Sequence, residues 1–229
     1  MDKDIEKLQN EVNEIANQIE KLCKTDTELE KLYMGVTVYM SPLIQNSELL
    51  FLGINPGAGS YKHGNIKLHR IEPLDKSEYE TEEYDLQNEW ITIFGPKERI
   101  NNIELLYKSV KTNCCFFATE NTQKLQKLKS RLLYKYKINI SEKEKKWIKT
   151  ILNYVNPRII ICEGFGAFNS LKKIFSKEEF TITEDWQIHK IGYINEKLQV
   201  LGFKRIYSRF ADIEDTVDTI KDALDCKII

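Results

Sequence analysis

The fold of this chain is constrained most by four short, continuous apolar runs separated by segments of helical periodicity. The runs are 49–53 (LLFLG), 114–119 (CCFFAT), 158–163 (RIIICE) and 198–202 (LQVLG). Continuous apolar runs are typical of strands that helices cover on both faces. The pattern therefore predicts an α/β protein, with a three-layer α/β/α sandwich around a mainly parallel, four-stranded central sheet.

Helical patterns lie between these runs and at both ends of the chain. Apolar residues recur at steps of three and four over residues 2–32, which predicts an N-terminal helix. Residues 141–155 show a similar pattern, with Ser141 as the expected N-cap and Glu144 completing a capping box. Shorter patterns predict the remaining helices, which fall in 100–110, 168–175 and 212–224.

The length of 229 residues fits a single sizeable core. We interpret residues 1–34 as a helical segment packed on the domain, and 35–229 as one α/β domain. The apolar stripe of the N-terminal segment covers less than three heptads, which favours a monomer and leaves a dimer through this helix open. Residues 72–89 carry eight acids against one lysine, which predicts an acidic insertion or long loop.

Composition restricts the class of function. The net charge of −1 gives no overall attraction to polyanions, so a nucleic-acid site would need a local basic patch. No apolar run approaches the roughly 18–20 residues of a membrane helix, and the N-terminus lacks a signal-peptide pattern. We therefore expect a cytoplasmic protein without membrane contact. The five cysteines and three histidines lack metal-ligand spacing, so we expect no metal and no cofactor.

One segment is strongly basic. Residues 123–149 contain ten lysines and arginines against two glutamates, with Tyr134, Tyr136 and Trp147 between them. Such a segment is typical of a phosphate-binding stripe, but it is equally typical of a solvated helical face. Both interpretations stay open from the sequence.

Loops at the carboxyl ends of the predicted strands carry the candidate site residues, because α/β sheets bind ligands at that edge. The loop after the first strand, 53–57 (GINPG), holds one polar side chain, Asn55. Gly53 and Gly57 let a ligand approach the backbone, and Pro56 restricts the conformation of Asn55. The amide of Asn55 can hold and orient a water molecule but cannot act as a base. The alternative is an asparagine that only caps its own turn.

These residues resemble the uracil-DNA glycosylase superfamily. LLFLGINPG (49–57) is similar to the family's first motif, in the Gly-Ile-Asn-Pro-Gly form of the mismatch-specific uracil and thymine glycosylases. RIIICEGFGAFNSL (158–171) is similar to the family's third strand and the turn that follows it. The resemblance covers roughly residues 30–225. It implies a DNA glycosylase that hydrolyses the N-glycosidic bond of a flipped-out uracil-like or modified base.

The resemblance also implies roles for particular residues. Asn55 would position the attacking water, and the rest of the loop, Gly53, Ile54, Pro56 and Gly57, would approach the base. Tyr61 and Phe117 are candidates to stack on the base, although either could belong to the core. Asn121, or Thr119 in its place, could read the polar edge of the base.

The second motif of the family commonly contains His-Pro-Ser, and here the corresponding stretch is RIYSRF (205–210). Tyr207 stands near the histidine position, and it and the following Ser208 are candidates to bind the base. Tyr207 or Arg209 would donate to the departing base in place of the histidine. Phosphate contacts would come from Lys204, Arg205 and Arg209. Because the histidine is missing, a catalytically silent DNA-binding protein of this fold remains an alternative. A nucleotide- or nucleoside-metabolising α/β enzyme is a further one.

Overall fold

The computed structural model describes residues 2–57 and 68–226, which divide into two compact units. Of these described residues, unit 1 comprises 2–39, 54–57, 68–73 and 113–154, and unit 2 comprises 40–53, 74–112 and 155–226. In the part of the chain that is described, no helix is long and apolar enough to cross a membrane.

The described residues form helices and strands that alternate along most of the chain. The helices are α1 (Lys3–Cys23), α2 (Thr27–Leu32), α3 (Glu78–Thr81), α4 (Asp85–Phe94), α5 (Ile103–Tyr107), α6 (Thr122–Tyr136), α7 (Ile140–Val155), α8 (Phe165–Lys172) and α9 (Ile213–Asp225). The strands are β1 (Gly35–Thr37), β2 (Leu49–Gly53), β3 (Leu68–Arg70), β4 (Val110–Asn113), β5 (Ile159–Cys162), β6 (Phe180–Asp185), β7 (His189–Ile194), β8 (Leu198–Phe203), β9 (Arg205–Ile206) and β10 (Arg209–Phe210).

Unit 2 is built on a six-stranded sheet with the order β4-β2-β5-β8-β7-β6. Strands β2, β5 and β8 pair in parallel, whereas β6 and β7 form an antiparallel hairpin that pairs with β8. The predicted α/β class with a mainly parallel central sheet is confirmed. The predicted number of four strands is wrong, because the sheet has six and is partly antiparallel. In β6, polar side chains interrupt the apolar ones, so no continuous apolar run marks this edge of the sheet.

The second predicted strand, 114–119, is also wrong. The strand lies just before it, at β4, and 114–119 is extended chain with a single bridge between Phe117 and Val36. β4 is fully buried although its sequence, VKTN, is polar. A buried lysine in a strand carries no apolar signal, so the sequence pattern shifted the prediction to the neighbouring apolar run.

Both faces of the central strands in unit 2 are buried. On one face, alternate residues such as Phe51, Ile161 and Phe203 pack with Trp90 of α4 and Ile220 of α9. Residues of the opposite parity, among them Leu50, Ile160 and Val200, are also fully buried. On this face Phe168 of α8 lies against Gly202, where a Cβ atom would come within 2.7 Å of the ring. This two-sided burial explains why the sequences of β2 and β5 are apolar throughout and that of β8 is apolar except at Gln199.

Unit 1 contains the N-terminal helices, the parallel pair β1–β3, and helices α6 and α7. The predicted single N-terminal helix is interrupted, since α1 ends at Cys23 and Asp26 caps α2. The predicted capping box of α7 is also absent. The helix begins one residue before Ser141, Asn139 accepts a hydrogen bond from the Glu142 amide, and Glu144 is buried against Lys129.

The acidic segment 72–89 belongs to unit 2 from residue 74 onward. It contains α3 and the first half of α4, where the sequence predicted a loop or an insertion. Glu78 and Tyr79 of α3 are buried. Part of the acidic segment is therefore structural, and its apolar contacts come from Tyr79, Tyr84 and Leu86 rather than from a regular aliphatic stripe.

Candidate functional site

The turn 53–57 leaves the carboxyl end of β2 in unit 2. In the strand order, β2 lies between β4 and β5, so the chain leaves β2 for one side of the sheet and later returns to the other. Such a reversal is a topological switch point, beside which α/β proteins bind ligands. At the same edge the Glu163 amide, which follows β5, donates to the Leu52 carbonyl at 2.9 Å. Two glycine-containing loops therefore begin at this point.

Asn55 itself lies in unit 1 and is half-buried. Its Nδ2 donates to the Pro56 carbonyl at 3.1 Å and to the Thr119 hydroxyl at 3.1 Å. The Thr119 hydroxyl in turn donates to the Asn121 carbonyl at 2.9 Å. The neighbouring Ile54 carbonyl accepts from the Cys115 amide at 2.8 Å. One hydrogen bond of the Asn55 side-chain amide thus stays within its own turn, and the other ties the amide to the segment before α6.

The other predicted base-binding residues of unit 1 differ in accessibility. Phe117 is fully buried with ring contacts to Tyr33 and Trp147, so it could stack on a base only after a rearrangement. Asn121 is exposed and caps α6 by accepting from the Lys124 amide at 2.9 Å. Tyr61 lies outside the described residues. Thr119, which the sequence offered only as a substitute for Asn121, is the residue that contacts Asn55.

The second-motif residues lie in unit 2 on a tight hairpin formed by β9 and β10, with Tyr207 and Ser208 at its turn. Tyr207 is 96% exposed and has a φ of +57°, a left-handed conformation that is strained for a bulky residue. Ile206 is 60% exposed. Lys204 and Arg209 are exposed and form no ion pair within residues 2–57 and 68–226. Together these side chains present an aromatic and an aliphatic group between two cations.

A surface pocket of about 720 Å³ lies beside this hairpin. It is lined by residues 206–211 and by Asp85, Asn88 and Glu89 of α4. Glu89 accepts a hydrogen bond from the Phe210 amide at 3.2 Å. The end of the acidic segment therefore lies next to Arg209, and the pocket carries both signs of charge.

Arg205 differs from the two exposed cations. Its guanidinium lies over Gly164, with Nε 3.3 Å from the place where a Cβ atom would stand. Gly164 has a φ of +113°, which favours glycine, and it is the N-cap of α8. The Nε atom of Arg205 is buried and has no hydrogen-bond partner among the described residues. Arg205 is thus half-buried with its Nε against the start of α8, and its predicted phosphate contact stays a prediction.

A charged cluster that the sequence did not indicate is centred on Lys111 of β4. The side chain is 4% exposed, and its Nζ lies 2.8 Å from Glu78 and 3.1 Å from Glu163. Nζ also donates to the Tyr84 hydroxyl at 2.9 Å. Glu163 accepts two further bonds, from the Tyr79 hydroxyl at 2.6 Å and the Trp90 indole at 3.0 Å.

The protonation states of this cluster follow from its contacts. Burial alone would raise the pKa of Glu163, but the charges of Lys111 and Arg205 and the donated hydrogen bonds outweigh it and lower that pKa below its ordinary value. Burial alone would lower the pKa of Lys111, whereas the two carboxylates raise it well above its ordinary value. The lysine and Glu163 are therefore both charged at neutral pH.

Most cations of the basic segment 123–149 are paired with acids within unit 1. The pairs are Lys124–Glu120, Lys129–Glu144, Arg131–Asp26, Lys135–Asp26, Lys145–Glu142 and Lys146–Glu11. Asp26 is buried and accepts from the Arg131 guanidinium, Lys135 and the Tyr136 hydroxyl. The Arg131 bond lowers the pKa of Asp26 far below its ordinary value. This pairing favours the interpretation of the segment as a helical surface over a phosphate-binding stripe.

No group of His, Cys, Asp and Glu side chains suited to a metal ion occurs within the described ranges.

A comparison with protein-family models finds no match to this chain, and neither does a comparison with curated proteins.

Proposed function

We propose that this chain is a DNA glycosylase of the uracil-DNA glycosylase type, built on a three-layer α/β/α fold, that removes a uracil-like or modified base. The observation that carries the proposal is the Asn55 amide, held by two hydrogen bonds on a glycine–proline turn that leaves a central parallel strand at a switch point. This is the position where an α/β sheet binds its ligand.

The proposed chemistry is hydrolysis with Asn55 as the group that positions water. A water molecule donates a hydrogen bond to Oδ1 of Asn55, and a lone pair of the water oxygen forms the new bond to C1′ of the sugar. The C1′–N bond breaks, its electron pair leaves with the base, and the water proton passes to solvent or the base. An amide does not take up this proton, so the rate gain would come from orientation and from stabilising the developing charges.

The hairpin at Tyr207 supports DNA as the substrate. Apolar and aromatic side chains that enter a base stack help to extrude a nucleotide, and cations beside them contact phosphates. Tyr207 and Ile206 are the exposed apolar side chains of this hairpin, and Lys204 and Arg209 flank them. The donor role of Tyr207 or Arg209 toward the departing base rests on the family resemblance alone.

A second candidate is an enzyme that acts on free nucleosides or nucleotides. The acidic side chains Asp85 and Glu89 in the pocket beside the hairpin favour it, because carboxylates repel the phosphates of DNA. Such an enzyme would cleave small substrates and be indifferent to DNA.

The test is a glycosylase assay on duplex and single-stranded oligonucleotides carrying uracil, mismatched uracil or thymine, and modified cytosines. We expect abasic product from at least one of them, and a loss of about 10²–10³-fold in rate for Asn55→Ala. Asn17→Ala, at an exposed position of α1, is the matched control and should keep full activity. Salt-dependent DNA binding without product would instead identify a silent binder. Cleavage of free nucleosides alone would identify the second candidate.

A further inference from the structure

We propose that Thr119 is a positioning residue. It fixes the Asn55 side-chain amide in the orientation that leaves Oδ1 free to accept a hydrogen bond from water. The role in hydrolysis rests on the proposed function, whereas the orientation of the amide does not. The observation is the chain of hydrogen bonds from Asn55 through Thr119 to the Asn121 carbonyl.

The orientation of the amide follows from its partners. A side-chain amide has two N–H donors on one atom and an acceptor on the other. The Pro56 carbonyl can only accept, so the atom 3.1 Å from it must be Nδ2. A flipped amide would place Oδ1 against that carbonyl, where two acceptor oxygens repel each other.

The hydroxyl of Thr119 has a single proton, and its partner decides where that proton points. The Asn121 carbonyl, at 2.9 Å, can only accept, so the proton is donated there. A lone pair of Thr119 Oγ1 is then left to accept from Nδ2 of Asn55 at 3.1 Å. Both donors of the amide are therefore used, and Oδ1, which has no hydrogen-bond donor within the described residues, is left to accept from a ligand.

Thr119 is well placed to hold this orientation. Its side chain is fully buried, and a β-branched residue has few rotamers to choose from. The preceding residue, Ala118, is bonded on both sides, donating to Gly35 and accepting from Met34. Asn121 follows as the N-cap of the fifteen-residue helix α6. Backbone hydrogen bonds on one side and helix α6 on the other thus set the position of the hydroxyl.

The orientation matters because the two faces of an amide act oppositely on water. Oδ1 accepts a water hydrogen and leaves the oxygen lone pairs free to attack, whereas Nδ2 would donate to one of those lone pairs. Without the Thr119 hydroxyl, one N–H loses its partner and the amide turns more freely. Loss of one typical hydrogen bond of this kind is expected to lower kcat by about 5–10-fold.

The first test compares Thr119→Val, which removes the hydroxyl at nearly constant shape, with Thr119→Ser, which keeps it. We expect Thr119→Val to lower kcat about 5–10-fold with KM unchanged, and Thr119→Ser to retain most of the activity. In Asn55→Ala, adding Thr119→Val should cost nothing further, because Thr119 acts through Asn55. Equal losses in the valine and serine variants, or additive losses in the double variant, would overturn the proposal.

A second measurement does not depend on activity. The side-chain NH₂ signals of Asn55, assigned by their loss in Asn55→Ala, report hydrogen exchange of each proton with solvent. We expect both protons to be protected, and one of them to exchange at least about tenfold faster in Thr119→Val. Unchanged exchange in Thr119→Val would disprove the role of Thr119 in holding the Asn55 amide. If exchange changes in Thr119→Val but the protein is inactive on every substrate, the hydrogen bond between Asn55 and Thr119 is retained and the proposed function is rejected.

Discussion

Unit 2 contains two groups of basic side chains that differ in burial and in ion pairing. Lys111 is buried in β4, and two carboxylates and a tyrosine hydroxyl surround its ammonium group. Lys204, just before β9, and Arg209 of β10 are exposed and have no acid partner among the described residues. The sequence offered no sign of the first group and indicated the second through the resemblance alone.

The difference separates charges that hold the fold from charges that are free for a ligand. A buried ion is tolerated only when partners satisfy it, and such a site has little capacity left for a substrate. An exposed cation without a partner costs the fold little and can bind phosphate. In unit 1, the paired lysines of the basic segment belong with exposed structural pairs, although sequence counting made them resemble a DNA site.

The largest effect is expected for Lys111→Met. The substitution leaves Glu78 and Glu163 buried without their cation, so we expect a loss of about 3–5 kcal/mol in the free energy of unfolding. In this variant the burial of Glu163 is no longer offset by Lys111, so the pKa of the Glu163 carboxyl rises relative to that in the original chain. Its stability should therefore fall further as the pH rises from 5 to 8. Denaturant unfolding at several pH values measures both effects.

The control for this substitution is Lys108→Met, which removes an exposed lysine that pairs with Glu104 one turn away. It should change the unfolding free energy by less than about 0.5 kcal/mol. A triple variant, Lys111→Met with Glu78→Gln and Glu163→Gln, should recover part of the loss because no buried charge is left unpaired. Similar losses for Lys108→Met and Lys111→Met would contradict a structural role for the cluster.

An intermediate effect is expected for the exposed cations, and it appears in binding rather than in stability. The double variant Lys204→Gln/Arg209→Gln should bind DNA more weakly. The slope of log affinity against log salt should become shallower by about 1.8, because each phosphate contact contributes about 0.9. The control, Lys145→Gln/Lys146→Gln, removes two paired lysines of α7 and should leave the slope unchanged. If the slope becomes shallower in the control variant and not in the hairpin variant, the basic segment is the DNA site and the hairpin is not.

The same contrast explains how far the sequence could predict this molecule. Strands β2, β5 and β8 were found within one residue of their ends, because these largely buried strands are apolar at nearly every position, with Gln199 of β8 as the exception. β4 was displaced, because its lysine is stabilised by Glu163, 52 residues away in the chain. Asn55 could be proposed from its turn, whereas its partner Thr119 lies 64 residues further on, and nothing local connects the two. Local sequence patterns predict local secondary structure, but they cannot predict polar contacts between residues that are far apart in the chain.

The smallest effect is expected at Tyr207, where the fold and the proposed function make opposite demands. A tyrosine at a φ of +57° is strained, whereas asparagine tolerates this conformation. Tyr207→Asn should therefore raise the free energy of unfolding by about 0.5–1 kcal/mol and weaken DNA binding. Tyr134→Asn is the matched control, since Tyr134 is also exposed but lies within helix α6, and its loss should bring no gain in stability. A strained side chain that is kept at a cost in stability is expected where a ligand uses it. If Tyr207→Asn gains stability and binds DNA as well as the original chain, the strain has no functional explanation in DNA binding.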